Sequence, residues 1–307
     1  MIRKEKINLV QNFFIISTEK GMRLDHFLNQ KINFSKSKCQ KLIISEKILV
    51  NNNPSKKSYI LKENDHIKVF ITQTPINVLQ PINLNLEIIY EDEFLAVINK
   101  PKNLVIHPSI SFSGVTLING LLFQIKNFRK MEGLRPGIVH RLDKDTTGLM
   151  LVAKNEEIRQ KLQLCIQQRE IKRYYWALIH GHLEKQGKII LPIGRHPHNR
   201  IKMAVVKNGK QSITYFKVLK YFNNFSLIEC QLETGRTHQI RVHLSYLKHY
   251  ILGDKLYGLK DNYFSNNGQF LHSKKIEFIH PITKKNIFLE SNLPIEFKNV
   301  IKKISIK

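Results

Sequence analysis

Cysteine is scarce in this chain of 307 residues. Only Cys39, Cys165 and Cys230 occur, and no two of them form a CxxC pair. Widely separated single thiols exclude a disulfide-stapled secreted fold and a zinc ribbon. We therefore expect reduced cysteines that pack as small apolar side chains in a cytosolic protein.

Long apolar segments are also missing. The basic N-terminal stretch MIRKEKINLVQNFFIIS contains apolar residues, but Asn8, Gln11 and Asn12 interrupt them, which disfavours a signal peptide. No other run reaches the length that a membrane-spanning helix needs. The sequence thus predicts a soluble, cytoplasmic protein.

Acidic residues are few. Asp and Glu number 24 against 50 Lys and Arg, which gives a formal net charge of +26. Such a field attracts polyanions, so RNA, DNA and an anionic membrane surface are the candidate partners, although no basic amphipathic helix suited to a membrane is evident. The alternative is a lysine-rich composition spread over a solvated surface. Because 42% of the residues are hydrophobic, the chain can bury a core and is not a disordered polycation.

The usual motifs for phosphate, nucleophile and metal chemistry are missing too. The segment HRLDKD (140–145) differs from the catalytic loop of protein kinases, because its Asp comes one residue late and no glycine-rich phosphate loop accompanies it. No serine nucleophile elbow is present. Three histidine pairs lack a companion carboxylate or thiolate at ligand spacing: His180 and His182, His196 and His198, and His238 and His243. We expect a site without metal or cofactor.

Residues 20–71 read as a small domain of their own, after an N-terminal extension over 1–19. Leu24, Phe27 and Leu28 have helical spacing, and so do the apolar residues from Cys39 to Ile43. Ser35 is the expected N-cap of the second helix. The outward positions of that helix hold a lysine row suited to a phosphate backbone, although an ordinary solvated face fits the spacing equally well: Lys36, Lys38 and Lys41.

Residues 72–86 contain Pro75 and Pro81, lack periodicity and are interpreted as a linker to a larger domain at 87–307. In that domain short strands outnumber helices and often follow one another. We expect strands at 87–90, 95–99, 139, 149–153, 174–179, 213–218 and 226–232, and helices at 116–125, 158–168 and 238–247. This order favours an α+β fold with a mostly antiparallel mixed sheet, flanking helices and a central cleft.

Asp143 lies among basic residues at the start of an apolar strand. A turn or capping role is the common explanation for such an Asp. Two features favour catalysis instead. The following Thr-Thr-Gly turn (146–148) lets a ligand approach the backbone, and the segment 233–243 supplies Arg236 and Arg241, five residues apart at helical spacing. One of these arginines is expected to pair with the carboxylate in a cleft and keep it ionised.

Five ordered motifs resemble the pseudouridine synthases of the RluA family, and residues 20–71 resemble the S4 RNA-binding domain that some of its members carry. The resemblance covers roughly residues 15–290. The motifs are NKPKNLVIHP (99–108), GIVHRLDKDTTGLMLVAK (137–154), IKRYYWALIHG (171–181), GRHPHNRIKMAV (194–205) and LETGRTHQIRVHL (232–244).

The resemblance implies the pseudouridine synthase fold and a reaction that needs no cofactor. Asp143 matches the essential carboxylate that drives cleavage of the C1′–N1 bond of uridine before the base rejoins through C5, either by attacking the sugar or by removing a sugar proton. Arg241 matches its partner, and Tyr175 matches the aromatic residue that packs on uracil and is placed to act as base toward C5. Arg141 matches the residue that fills the gap left by the flipped nucleotide. Supporting or RNA-contacting roles are expected of His140, Lys144, Thr147 and Arg236.

The substrate implied is ribosomal RNA. HRLDKDTTGLM and GRHPHNRIKMAV are most similar to the branch of the family that modifies 23S RNA, which implies the stem-loop of helix 69 as target and a monomeric enzyme. The stretch between Tyr257-Gly258 and the segment 270–281 is shorter than that branch leads us to expect, so the target site stays open. The alternatives are another ribosomal or transfer RNA site, and a non-catalytic RNA-binding protein of ribosome assembly.

Overall fold

The computed structural model describes residues 9–32, 36–71, 79–108, 112, 114–126, 128, 136–199, 201–259, 264 and 268–306. The chain divides into two compact units, Met1–Val78 and Leu79–Lys307. Each has its own buried apolar cluster. Among the helices that lie in the described ranges, none is long and apolar enough to cross a membrane.

The smaller unit packs two helices on a four-stranded sheet. Its elements are β1 (Leu9–Phe14), α1 (Leu24–Lys31), α2 (Lys36–Ile44), β2 (Ile48–Val50), β3 (Asn53–Pro54) and β4 (His66–Ile71). The strands are antiparallel in the order β1-β4-β2-β3. Leu24, Phe27 and Leu28 share one face of α1 and are fully buried, as their spacing predicts. Since β1 pairs with β4 along its whole length, residues 9–14 belong to this sheet and not to a separate extension.

The lysine row of α2 can be placed only in part. The helix covers Lys36, Lys38 and Lys41, but the side chains of the first two lie outside the described residues, as does Ser35. The side chain of Lys41 is exposed.

The larger unit is an α+β domain built on a mixed sheet, which confirms the predicted fold class. Its elements are β5 (Glu87–Glu91), β6 (Leu95–Lys100), α3 (Leu117–Gln124), β7 (Thr147–Ala153), α4 (Glu156–Gln167), β8 (Lys172–His180), β9 (Gln186–Ile190), β10 (Ile193–Arg195), β11 (Met203–Val205), β12 (Ile213–Tyr221), β13 (Phe225–Leu232), α5 (Gln239–Tyr246), β14 (Leu271–Ile279), β15 (Asn286–Glu290) and α6 (Ile295–Ser305). Nine of these strands form one sheet in the order β5-β6-β7-β14-β8-β13-β12-β9, with β15 beside β14. Only the β7–β14 pair among them is parallel, and β10 pairs with β11 in a separate hairpin.

The two faces of the sheet carry separate cores. In β6, Leu95 and Val97 pack with α4, whereas Ala96 and Ile98 pack on the other face with α3 and α5. This alternation follows from the period of two along a strand. The face that carries α3 and α5 also carries Tyr175, so the candidate site develops on that side.

Residues 79–86 differ from the interpretation as a linker. Leu79, Leu84 and Leu86 pack against the core of the larger unit, and the backbone N–H of Leu86 donates to Gln124 of α3. The boundary between the two units falls after Val78, because these leucines bury apolar surface that a solvated linker would expose.

A close approach of two strands explains Gly148, the second residue of β7. Gly148 has φ +105°, and a Cβ there would lie 2.3 Å from the carbonyl oxygen of Ser273 in β14. The expectation that this turn admits a ligand is therefore wrong at Gly148, because the backbone of the parallel neighbour fills the space.

Candidate active site

Asp143 lies in the loop that leads into β7. Its carbonyl accepts a hydrogen bond from the N–H of Thr146 at 3.1 Å, so its backbone does form a turn. Its side chain, 14% exposed, instead bonds Arg241, which lies 98 residues further along the chain. A capping residue bonds nearby backbone groups. The structure thus gives the carboxylate a long-range partner that the turn does not require.

Lys100 fixes the backbone of this loop through hydrogen bonds to carbonyl oxygens. Its fully buried ammonium group donates to three carbonyl oxygens, those of Pro101 at 2.7 Å and of Leu104 and Lys144 at 3.0 Å each. Burial lowers the pKa of Lys100 to about 7, against the opposing attraction of Asp145 and Asp143. The sequence motif contained this lysine, but no role for it followed from the spacing.

Arg241 joins two carboxylates. Its Nε and Nη2 donate to the two oxygens of Asp254 at 2.7 and 2.8 Å, and its Nη1 donates to Oδ2 of Asp143 at 2.8 Å. Burial opposes the charge on Arg241, but Asp254 and then Asp143 outweigh it and raise its pKa. For Asp254, burial alone would raise the pKa, yet the bonds from Arg241 and from two backbone N–H groups lower it. A guanidinium that is held along one edge, through Nε and Nη2, keeps a fixed orientation toward a partner at Nη1.

Tyr257 and His238 complete the surroundings of this ion pair. The guanidinium of Arg241 lies 5.0 Å from the centre of the Tyr257 ring. The Tyr257 hydroxyl accepts from the N–H of Met203 at 2.7 Å and lies 2.8 Å from Nδ1 of His238. His238 in turn places Nε2 at 3.7 Å from Oδ1 of Asp143, too far for a hydrogen bond. Burial lowers the pKa of His238, which favours the neutral ring.

Tyr175 faces the same cavity as Asp143. It lies in β8 between Cys230 of β13 and Ser273 of β14, and its side chain is 4% exposed. Burial raises the pKa of its phenol, so the group is protonated at neutral pH. A cavity of about 620 Å³ contains both Asp143 and Tyr175 in its wall. The sheet thus supplies the aromatic surface and the preceding loop supplies the carboxylate.

The other predicted site residues differ in whether they line this cavity. Arg141 and Arg236 are exposed and line this cavity, although Arg236 precedes α5, so its predicted helical spacing with Arg241 does not hold. Lys144 is exposed and is not part of the cavity wall. Two predicted residues instead make internal bonds: Nε2 of His140 accepts from the N–H of Leu151 at 2.9 Å, and Thr147 bonds His272 at 2.7 Å.

His140 cannot contact RNA as a cation in this setting. Burial, followed by the charge of Arg173, lowers the pKa of His140 to about 3. The neutral ring that accepts on Nε2 carries its proton on Nδ1. Two further side chains of the site, Asp254 and Lys100, were not identified from the sequence, because their contacts link segments that no local spacing relates.

Comparison with known proteins identifies both units. The family model for RNA pseudouridylate synthases matches residues 94–246, and the S4 domain model matches residues 22–67. The first match includes Asp143, Tyr175 and Arg241.

Relatives match over nearly the whole chain. An RNA pseudouridine synthase of Synechocystis is 41% identical over 92% of this chain and 88% of its own length. A ribosomal large subunit pseudouridine synthase D of Buchnera aphidicola is 38% identical over 92% of this chain and 93% of its own length. The solved structure of human RNA pseudouridylate synthase domain containing 4 has a TM-score of 0.57 at 25% identity, over 71% of this chain and 92% of that one. The extent of these matches shows that the chain belongs to the RNA pseudouridine synthase family, as an isomerase of RNA uridines that carries an S4 domain.

Proposed function

We propose that the protein converts uridines of 23S ribosomal RNA to pseudouridine, with Asp143 as the catalytic carboxylate. The observation that carries the proposal is the ion pair of Asp143 with Arg241 at the edge of a cavity that also contains Tyr175. The choice of RNA is supported by the relative from Buchnera, whose name specifies the large ribosomal subunit. Helix 69 is the proposed target within that RNA, on the similarity of the motifs at 140–150 and 194–205.

Arg241 supplies the counter-charge that a mostly buried carboxylate needs. Because Asp254 accepts from both donors of one edge of the guanidinium, Nε and Nη2, Arg241 presents Nη1 to Asp143 without having to reorganise. The other carboxylate oxygen of Asp143, Oδ1, lies 3.7 Å from Nε2 of His238, and Asp143 lines the cavity. From there it acts on the sugar of a uridine, either by attack at C1′ or by removal of a sugar proton, and the C1′–N1 bond breaks.

Tyr175 provides a surface for the detached uracil. A ring packed against the base keeps it next to the sugar while it turns, so that the C1′–C5 bond forms within the same complex. Rejoining requires the loss of the C5 proton. As the phenol is protonated in the free enzyme, Tyr175 accepts that proton only if its own proton leaves in the same step.

The cationic residues around the cavity divide the work of RNA binding. Arg141 is exposed at the cavity and is proposed to stack in the gap that the flipped uridine leaves, a role that suits a planar cation. Arg236 contacts the RNA from the opposite loop. The lysines of α2 bind RNA backbone through the S4 domain, and Lys144, exposed outside the cavity, contacts more distant phosphates. We propose that the protein is a monomer and acts in the cytoplasm, where ribosomal subunits are assembled.

The test is to map pseudouridines in 23S RNA from cells with and without this protein. Loss of a pseudouridine in helix 69, and its restoration by the purified protein on transcribed 23S RNA, is the expected result. Loss at another ribosomal or transfer RNA position would retain the reaction but replace the target. An unchanged map, together with RNA binding by the purified protein, would favour the non-catalytic assembly protein instead.

A further inference from the structure

Arg173 is a buried cation without a counter-ion. Its side chain is 5% exposed, and its Nε has no hydrogen-bond partner among the described residues. No carboxylate of the described residues lies within ion-pair distance of it, in contrast to Arg241. Burial of a charged donor without a hydrogen-bond acceptor costs folding free energy. We therefore expect that a bound ligand supplies the acceptor that the free protein lacks.

The surroundings of Arg173 point to the active-site cavity. Arg173 and Tyr175 are alternate residues of β8 and face the same side of the sheet, with Cα atoms about 7 Å apart. Both residues line the cavity that contains Asp143. The positive charge of Arg173 acts to lower the pKa of both His140 and Tyr175, which shows that it lies near both side chains.

A second buried donor lies in the wall of the same cavity. Because Nε2 of His140 accepts from Leu151, the neutral ring carries a proton on Nδ1, and this atom is buried without a partner among the described residues. Two donors from different elements, the loop before β7 and strand β8, therefore lack an acceptor in one cavity.

The loop before α5 passes beside the guanidinium of Arg173. A Cβ at Gly235 would lie 3.2 Å from Nη1 of Arg173, which is closer than most Cβ contacts. The loop is fixed by Gln239, whose side chain accepts from the N–H of Arg236 at 3.0 Å and donates to the carbonyl oxygen of Ile213 at 3.0 Å. The backbone beside the cation is thus fixed by hydrogen bonds of Gln239.

The charge balance of the wall favours an anion over a neutral acceptor. Arg169 is paired with Glu233, and Arg159 with Glu156 on α4. Among the described residues, three arginines of the wall have no carboxylate within ion-pair distance: Arg141, Arg173 and Arg236. Of the described residues, Asp143 is the one further carboxylate in the cavity wall, and Arg241 pairs with it.

We infer that this cavity binds a phosphate group of the RNA strand beside the flipped uridine, with Arg173 as its main ligand and Nδ1–H of His140 as a second donor. The Cα atoms of Arg173 and Tyr175, about 7 Å apart along β8, have a spacing comparable with that between the phosphate and the base of one nucleotide. A phosphate fixed at Arg173 therefore holds the backbone while the base packs on Tyr175. The inference rests on the proposed function, because it takes Tyr175 as the surface for the base.

The test is a coupling between one protein side chain and one phosphate. Binding of a large-subunit RNA stem-loop is measured in the Asp143→Asn background, so that no turnover occurs, with a neutral methylphosphonate at each phosphate in turn. At one phosphate flanking the bound uridine, neutralisation is expected to weaken binding about tenfold, and less than about twofold once Arg173→Gln is added. The salt slope should also fall by about 0.7 in Arg173→Gln.

The matched control is Arg159→Gln, which removes an arginine of the same cavity wall that already has a carboxylate partner. It should retain the full methylphosphonate effect. Equal losses of affinity in Asp143→Asn and in the double variant with Arg173→Gln, at every phosphate, would overturn the inference. So would a loss of turnover in Arg173→Gln with unchanged RNA affinity, since this would assign the cation to Tyr175 instead.

Stability without RNA separates a binding role from a structural one. Because Arg173→Gln removes an uncompensated buried cation, the variant is expected to melt no lower than wild type. A lower melting temperature with an unchanged methylphosphonate effect would make Arg173 a structural residue. Arg173→Lys, which keeps the charge, should retain part of the phosphate coupling. The binding and melting measurements need no catalysis, so an unchanged pseudouridine map would refute the proposed function without deciding the phosphate site.

Discussion

At the scale of single residues, the site depends on one arginine that serves two carboxylates. Asp254 takes two donors of Arg241 and Asp143 takes the third. The charged segments predicted that Arg236 or Arg241 pairs with Asp143, and the family resemblance implied Arg241. Asp254 was not predicted, because it lies in the segment 250–258, where no spacing relates an acidic residue to α5. Its role follows only from the fold.

The buried Asp254 changes what removal of Arg241 should do. Arg241→Met is expected to destabilise the protein by about 3–5 kcal/mol, because it leaves buried carboxylates unpaired. Asp254 is 1% exposed and Asp143 is 14% exposed. Adding Asp254→Asn should therefore recover more stability than adding Asp143→Asn. Urea denaturation of the two double variants measures the difference, and equal recovery would show that Asp254 does not depend on Arg241.

At the scale of elements, strands with an apolar run or a clear alternation were predicted, whereas β9, β10, β11, β14 and β15 were not. The strand β14 contains the buried His272, Ser273 and Lys274 in succession, which hides the pattern of an interior strand. The helix α6 was also missed, although Phe297, Val300 and Ile304 are buried at helical spacing. The helix α5 begins at Gln239 as expected to within a residue, since its apolar positions follow the helical period.

The buried His272 links β14 to two neighbours and makes folding sensitive to acid. Its Nδ1 bonds Thr147 at 2.7 Å and its Nε2 bonds Ser291 at 2.8 Å. Burial, then the charge of Lys274, lowers the pKa of His272 to about 3 in the folded protein. The ordinary value in an unfolded chain is about 6.5. Between these values the unfolded chain binds more protons, so the stability from this group is present above pH 6.5 and is lost as the pH falls toward 3.

One variant tests whether acid destabilises the protein through His272. The free energy of unfolding of wild type should fall more steeply between pH 6.5 and about 4 than that of His272→Gln, which has no titrating ring. His182→Gln is a suitable control, because that ring contacts a carbonyl oxygen at 2.7 Å in a partly buried setting away from β14. Parallel stability curves for wild type and His272→Gln would contradict the assigned protonation.

At the scale of the whole molecule, the chain forms two units with separate cores, and we propose that the smaller one contributes RNA binding and the larger one the chemistry. The charge balance predicted a polyanion partner and the pattern along the chain predicted two domains, and the described structure has two compact units. The boundary was misplaced because the segment 79–86 looks like a linker in sequence but packs on the larger core. The parallel pairing of β7 with β14, strands far apart in the chain, also follows from tertiary packing and has no local signal.

The division of labour predicts the behaviour of a fragment that begins at Leu79. It retains the cores of the larger unit, so it should still make pseudouridine at saturating RNA, with a raised KM. If the lysines of α2 contact about three phosphates, the salt slope should fall by roughly two. Steady-state kinetics at two salt concentrations and a melting curve of the fragment test this. Unchanged KM and salt slope with a lower melting temperature would show that the S4 domain contributes stability and not RNA contacts.

The central claim is that the carboxylate of Asp143 carries the chemistry, and tritium release from C5-labelled uridine in transcribed 23S RNA measures it most directly. Asp143→Asn keeps the size of the side chain and a bond with Arg241, but it removes the charge. Glu157→Gln removes the same charge from an exposed position on α4 and serves as control. The account predicts no tritium release above background from Asp143→Asn, RNA affinity equal to or above that of wild type, and normal release from Glu157→Gln. Release from Asp143→Asn at a rate close to that of the control would contradict the claim.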